Sequence, residues 1–212
     1  MVVQGAAISY LALGDSYTIG EAVAQSESFP YQLVAELNDR TGSVAILTQT
    51  PVIIAKTGWT TDELQSAIKA ASLTKTFDMV TLLIGVNNQY RGNSLSTYRT
   101  EFRELLQTAI AFAKEDKTHV FVVSIPDWGA TPFGKQSGRG EGQIAAEIDA
   151  FNAVNKEETL KAGVSYTDIT PGSRKADADV TLVASDGLHP SGKMYKEWAA
   201  AISPAVVSVF KK

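Results

Sequence analysis

The sequence predicts an α/β fold in which a mostly parallel sheet carries helices on both faces. Short apolar runs alternate with longer amphipathic stretches along the whole chain. Each apolar run is stopped by glycine, proline or a polar cluster, as buried strands are. The length of 212 residues suits one sizeable domain and is awkward for two, so residues 1–212 are expected to form one unit.

The elements follow in order. Ile8 to Leu13 is short and apolar and ends at Gly14, which predicts the first strand. Ser28 to Leu37 predicts a helix, with Ser28 as N-cap and Pro30 in the first turn. Pro51 to Ala55 is the second strand, and Thr60-Thr61-Asp62-Glu63 has capping-box form and opens a helix to about Ala71. Asp78 to Ile84 is the third strand, followed by a long amphipathic helix over Ser94 to Lys114. Val120 to Ile125 is the fourth strand, stopped by Pro126. Pro126 to Gly142 is rich in glycine and proline, lacks apolar periodicity, and is longer than most connections; it reads as a lid or as a solvated loop. Helical spacing returns from Glu141 to Lys161, Val164 to Thr167 is a short fifth strand, and Ser191 to Phe210 is a final helix broken or bent at Pro204.

Composition narrows the function. Hydrophobic residues make up 44% and charged residues 20%, which excludes a disordered chain. The net charge is −4 and no basic block stands out, so a nucleic-acid partner is not expected; Lys211 and Lys212 cluster at the end. There is no cysteine, which removes disulfides, thiolate catalysis and cysteine-held zinc. The two histidines are well separated, so no metal and no other cofactor is expected. Neither Gly-x-Gly-x-x-Gly nor a Walker-type Gly-Lys-Ser/Thr occurs, so nucleotide binding has no support. No stretch reaches the roughly 20 apolar residues of a membrane span. Met1 to Gly5 does not open a signal peptide, but a chain relieved of its signal would read the same way. Cytoplasmic and secreted or periplasmic locations both stay open, as does the oligomeric state.

Parallel sheets place their sites beyond the carboxyl ends of the strands. The segments there are Gly14-Asp15-Ser16, Thr57-Gly58-Trp59, Gly85-Val86-Asn87-Asn88 and Pro126-Asp127-Trp128. His119 precedes a strand, at the opposite edge, and reads as a surface residue. His189 lies in a loop opening the last helix, where a general base could work near neutral pH. Asp186, three residues earlier, could reach the ring nitrogen that faces away from a nucleophile. Ser16 after the first strand is the candidate nucleophile. Gly58 offers an open backbone N–H and Asn87 a neutral amide donor. Taken singly, each has an ordinary reading as a turn, a cap or a loop support. Gly-x-Ser-x-Gly is absent, so this is not the nucleophile elbow of the α/β-hydrolases.

Together these blocks resemble the SGNH hydrolase superfamily, also called GDSL esterases and lipases. Gly14-Asp15-Ser16-Tyr17 is similar to its first block, with Tyr for Leu. Gly58 matches the glycine of the second, Gly85-Val86-Asn87-Asn88 the Gly-x-Asn-Asp block with Asn88 for Asp, and Asp186-Gly187-Leu188-His189 the Asp-x-x-His block. The resemblance implies a three-layer α/β/α sandwich with about five parallel strands, flavodoxin-like in layout. It implies Ser16 as nucleophile, His189 as base and Asp186 as its orienting acid, with Ser16, Gly58 and Asn87 as oxyanion donors. The expected substrate is a small-molecule ester with a short acyl group such as acetyl, on a carbohydrate for instance. Asp15, Trp59, Asn88, Tyr90, Arg91, Asp127 and Trp128 are expected to line its site, with Gln89, Phe133, Lys135 and Arg139 nearby. Two rivals stay open: a lysophospholipase or acyl-thioesterase on the same scaffold, and a flavodoxin-like binding module without catalysis.

Overall fold

Five strands form one parallel sheet in the order β2-β1-β3-β4-β5. In this computed structural model, which describes residues 7–39 and 46–211, they are β1 (Tyr10–Gly14), β2 (Val52–Ala55), β3 (Met79–Leu83), β4 (Val120–Val123) and β5 (Ser165–Thr167). Met1 to Gly5 and Lys212, named above, lie outside the described residues. Every residue of β1, β3 and β4 is buried, which explains their unbroken apolar character; β2 and β5 at the edges are half-buried. The register pairs Leu11 with Val52 on one side and with Val80 on the other. Each strand falls within two residues of its expected bounds. Ile8 makes only an isolated bridge to Thr48, so β1 starts later.

The helices are α1 (Ser16–Ile19), α2 (Phe29–Asn38), α3 (Thr61–Ala71), α4 (Val86–Tyr90), α5 (Leu95–Phe112), α6 (Pro132–Gln136), α7 (Glu141–Ala162), α8 (Thr170–Ser173) and α9 (Gly192–Phe210). Helix α2 packs along α9, while α3, α5 and α7 lie side by side, giving the two helical layers of the expected α/β/α sandwich. Leu33 and Leu37 of α2 and Trp198, Ile202 and Val206 of α9 are buried in the same core as the strands. A fully buried leucine contributes about 2–3 kcal/mol over an exposed one, so these faces, apolar at every fourth residue, fix the layers.

Two local expectations are corrected, a break at Pro204 and a solvated loop over 126–142, and the Ser28 cap is refined. Helix α9 runs without interruption through Pro204. The Ala200 carbonyl, deprived of the N–H that proline lacks, receives the Ser203 hydroxyl at 3.5 Å. Ser28 stands at the N-cap of α2, but its hydroxyl donates to the Gln25 carbonyl at 2.9 Å and caps nothing. The segment 126–142 is not a solvated loop. It contains a 3-10 turn over 128–130 and the helix α6, with Trp128, Gly129 and Gly134 buried. Thr131 caps α6 by accepting the Gly134 N–H at 3.1 Å.

Candidate active site

The sheet order reverses direction between β1 and β3, and chain ends diverge there to leave a crevice. A cavity of about 250 Å³ opens at that point. Ser16, which follows β1 and begins α1, lies on its wall beside Gly58, Asn87 and His189. Four segments distant in sequence therefore meet on one surface, as expected for the candidate nucleophile, base and donors.

The His189 loop is a self-contained turn. Gly187, at φ +75°, lets the chain reverse between Asp186 and His189. Asp186 Oδ1 accepts the Leu188 and His189 N–H groups at 2.9 and 3.0 Å, and its Oδ2 lies 2.5 Å from His189 Nδ1. Burial works to raise the Asp186 carboxyl pKa. The imidazole and the two amide donors outweigh it and hold the carboxyl below its usual range, so it is ionised. An anionic acceptor at Nδ1 places the ring proton there and leaves Nε2 bare. The His189 side chain is 10% exposed, and the Tyr17 ring meets it edge-on at 5.7 Å between centroids. Tyr17, the departure from Leu in the first block, thus walls the imidazole as well as the cavity. Sequence reasoning missed that contact, because it is made across 172 positions and only in the fold. The Ser16 hydroxyl and His189 share the cavity wall without a direct hydrogen bond between them.

The donors are set by cross-links between blocks. Gly58, at φ +86°, occupies the left-handed region that a side chain would strain. Its carbonyl is held by Arg91 Nη2 at 2.5 Å, and Arg91 is anchored in turn on Glu63 at 3.2 Å. Asn87 Nδ2 donates to the Trp59 carbonyl at 2.9 Å, which uses one of its two N–H bonds and leaves the other available. Asn88 is fully buried and clasps the start of α3: Oδ1 accepts the Thr61 N–H at 3.1 Å and Nδ2 donates to Thr61 Oγ1 at 2.7 Å. The Thr61 hydroxyl already donates to Glu101, so only an amide at position 88 completes the pair. That accounts for asparagine where the family pattern has aspartate. Gly85 before it is at φ +130°, and a Cβ there would meet Tyr98 Oη at 2.6 Å.

Tyr90 and Trp128 line the cavity as expected, joined by Val86, Phe133 and Leu188. Asp15, Trp59, Asn88, Arg91 and Asp127 do not stand on its wall. Asp15 is fully buried and accepts the Tyr17 N–H at 3.0 Å. Trp59 packs against the core. Asn88 and Arg91 are spent on the cross-links just described. Asp127 accepts the Gly129 N–H at 2.9 Å and pairs with Arg174 at 2.8 Å, fixing the turn behind His189. Gln89 is buried as well. His119 is part-exposed, stacks on Phe210 at 4.7 Å, and lies at the amino end of β4, away from the cavity.

The model of the GDSL-like Lipase/Acylhydrolase family matches residues 12–197. The chain belongs to this family. Similar solved structures include a lipase/acylhydrolase from Enterococcus faecalis, 19% identical with a TM-score of 0.69 over 95% of this chain and 96% of that one. TesA is 16% identical, with a TM-score of 0.69 over 95% of this chain and 99% of that one. An acetyl xylan esterase from Geobacillus stearothermophilus is 15% identical, with a TM-score of 0.67 over 95% of both chains. At these identities the three share a fold with this GDSL-family hydrolase. No curated protein sequence matches it. Among the described residues, no helix is long and apolar enough to cross a membrane.

Proposed function

We propose that this GDSL-family chain is a serine ester hydrolase that works through an acyl-serine and takes short acyl groups. One observation carries the reading: Ser16, the Asp186-bound His189 and the donors at Gly58 and Asn87 share one small cavity. Ser16 Oγ attacks the ester carbonyl carbon as its proton passes to His189 Nε2. The oxyanion takes N–H donation from Ser16, Gly58 and the free amide hydrogen of Asn87. The carbon–oxygen bond to the alcohol breaks, and His189 returns the proton to the departing oxygen. Water then attacks the acyl-serine as one of its protons passes to His189, which gives that proton to Ser16 Oγ as the acyl–serine bond breaks and the acid leaves. The hydrophobic core shared by both helical layers supports taking residues 1–212 as one domain.

Cavity size argues for a small substrate. At about 250 Å³ the cavity lies just below the roughly 300–1,000 Å³ typical of pockets that enclose drug-sized ligands. That accommodates a short acyl group and the near part of an alcohol. Phe133 is exposed at the rim and offers a flat face on which a sugar ring could stack. A specific observation favours a second reading: the aromatic and aliphatic side chains that dominate the wall suit a longer acyl chain leaving through the open mouth.

Labelling with a fluorophosphonate followed by peptide mass spectrometry tests the first step. The adduct is expected on Ser16, and its absence overturns the proposal in favour of a binding module. Hydrolysis of aryl esters with two to twelve acyl carbons tests the second. A maximum at two to four carbons is expected, and a maximum at eight or more establishes the long-chain reading instead.

A further inference from the structure

The polar residues behind the cavity form a chain that the hydrolytic chemistry does not use. Trp128 Nε1 donates to Gln89 Oε1 at 2.8 Å, inside the protein. Gln89 Nε2 donates to Glu147 Oε2 at 2.6 Å. The same carboxylate oxygen pairs with Arg139 Nη2 at 2.8 Å, and Gln143 donates to its other oxygen at 2.8 Å. Arg139 closes the ring: Nη1 donates to the Tyr90 carbonyl at 3.1 Å. Its guanidinium lies 5.7 Å from the Trp128 ring centroid and 5.8 Å from that of Tyr90. The two rings meet edge-on at 5.5 Å.

Of this set only Tyr90 and Trp128 touch the cavity. Gln89, Arg139 and Glu147 stand behind them. An indole held at its nitrogen and covered by a cation has few rotamers left, so the wall it makes is rigid. Tyr90 lies three residues beyond Asn87 on α4, so both project from one side of that short helix. The departing oxygen must reach His189 Nε2, which places the alcohol beside Leu188 and Phe133; the Phe133 N–H is docked on the Gly187 carbonyl at 2.9 Å. Trp128 stands between the two groups, its ring centroid 6.0 Å from that of Phe133 and 5.5 Å from that of Tyr90, and the acyl chain, directed away from His189, runs past it towards Tyr90.

We propose that the Gln89–Glu147–Arg139 clamp is the specificity determinant of this site, holding Trp128 and Tyr90 as a fixed end wall that limits the length of the acyl group. This rests on the serine-hydrolase reading above. The clamp residues are positioning residues, since they act on substrate only through the two aromatic rings. Opening the clamp lets Trp128 turn and adds room at the acyl end.

The test compares wild type with Arg139→Ala and Glu147→Ala across aryl esters of two to eight acyl carbons, and across acetates of alcohols of increasing size. A single misplaced methylene changes kcat/KM by about 10-fold or more in a tight apolar site. The eight-carbon to two-carbon ratio of kcat/KM is therefore expected to rise at least ~10-fold in both variants. The acetate series should keep its wild-type order, and fluorophosphonate should label Ser16 at the wild-type rate. Arg139 is part-exposed at 28%, so Arg139→Ala carries the same expectation should Glu147→Ala fail to fold. Equal losses at every acyl length overturn the proposal, because a merely structural clamp would act that way. A change confined to the alcohol series overturns it too. Labelled wild type with an unchanged acyl ratio in the variants defeats the clamp alone, whereas unlabelled wild type defeats the hydrolase reading and the clamp with it.

Discussion

Replacing Asp15 by asparagine should change how stability depends on pH. Asp15 sits between β1 and Ser16, fully buried, with Oδ1 accepting the Tyr17 N–H at 3.0 Å and Oδ2 lacking any hydrogen-bond partner. Burial without a counterion pushes its carboxyl up to about 7, against the pull of the amide donors. The folded chain then holds a proton that the unfolded chain gives up above about pH 4. The folded state binds more protons through this window, so stability falls as pH rises from about 4 to about 7 and is level beyond. A shift of about three units at about 1.4 kcal/mol each is worth about 4 kcal/mol in all, of which about 3 kcal/mol falls between pH 4.5 and 8.

Asp15→Asn removes that slope. The amide oxygen can keep the Tyr17 N–H, but an NH₂ group replaces the unpartnered oxygen and leaves buried donors unpaired. That costs about 1–3 kcal/mol at every pH. The variant should be less stable than wild type at pH 4.5 and more stable at pH 8, with the curves crossing between. Urea unfolding at half-unit steps of pH measures both. Asp186 and Asp78 have lowered carboxyls and contribute slopes of the opposite sign, but they are common to both proteins and cancel in the difference. Parallel curves across this range would refute the reasoning, since an ionised and tolerated Asp15 is the one state that produces them.

Further outcomes follow from the site. Asn87→Ala should keep the wild-type melting temperature to within a few degrees while losing ~3 kcal/mol of transition-state stabilisation, read as a drop of about 100-fold or more in kcat. Asp186→Asn should lower kcat by roughly 10⁴-fold with little change in KM, because an amide can donate to Nδ1 and so fix the wrong tautomer. Asn88→Asp should destabilise the fold by about 1–3 kcal/mol, measured by urea unfolding, since a carboxylate offers no donor to Thr61 Oγ1 beside Glu101.

The strands were legible because an apolar run of four to six residues, closed by glycine or proline, has few other uses in a chain of this composition. The long helices were legible from their periodicity. Helices α1, α4, α6 and α8 span four or five residues each, too few to show a period, so their segments read as loops. The candidate nucleophile and donors could be read because they follow β1, β2 and β3, where topology alone gathers them, and the candidate base, in the loop before α9, because the chain has only two histidines. The wall could not. Trp128 faces the cavity because Gln89 and Glu147, on α4 and α7, hold its indole nitrogen, and no local pattern announces a partner 39 positions away. Asp15, Asn88 and Asp127 were misplaced for the complementary reason. Polar residues next to a site read as substrate contacts, yet a buried polar group must first satisfy itself, and backbone amides and Thr61 or Arg174 take that capacity.

The same accounting explains how an open crevice can be preorganised. Strand ends diverge, so the sheet supplies position but no rigidity to the turns beyond it. Here the turns are tied to one another: Arg91 holds Gly58, Asn87 holds Trp59, Asn88 holds Thr61, and Gly187 holds Phe133. The first three join the segment after β2 to the segment after β3, so neither candidate donor there, Gly58 or Asn87, can shift alone. The proposed oxyanion hole, drawn from separate turns, gains its advantage only if its donors need no rearrangement during the reaction. Surface ion pairs contribute little to stability, so the Arg91–Glu63 pair, nearly half exposed on both sides, is better understood through the Gly58 carbonyl it positions than through any strength of its own. A donor turned by even ~1 Å would lose much of its effect, and it is the cross-block hydrogen bonds, not the strands, that keep the donors in place.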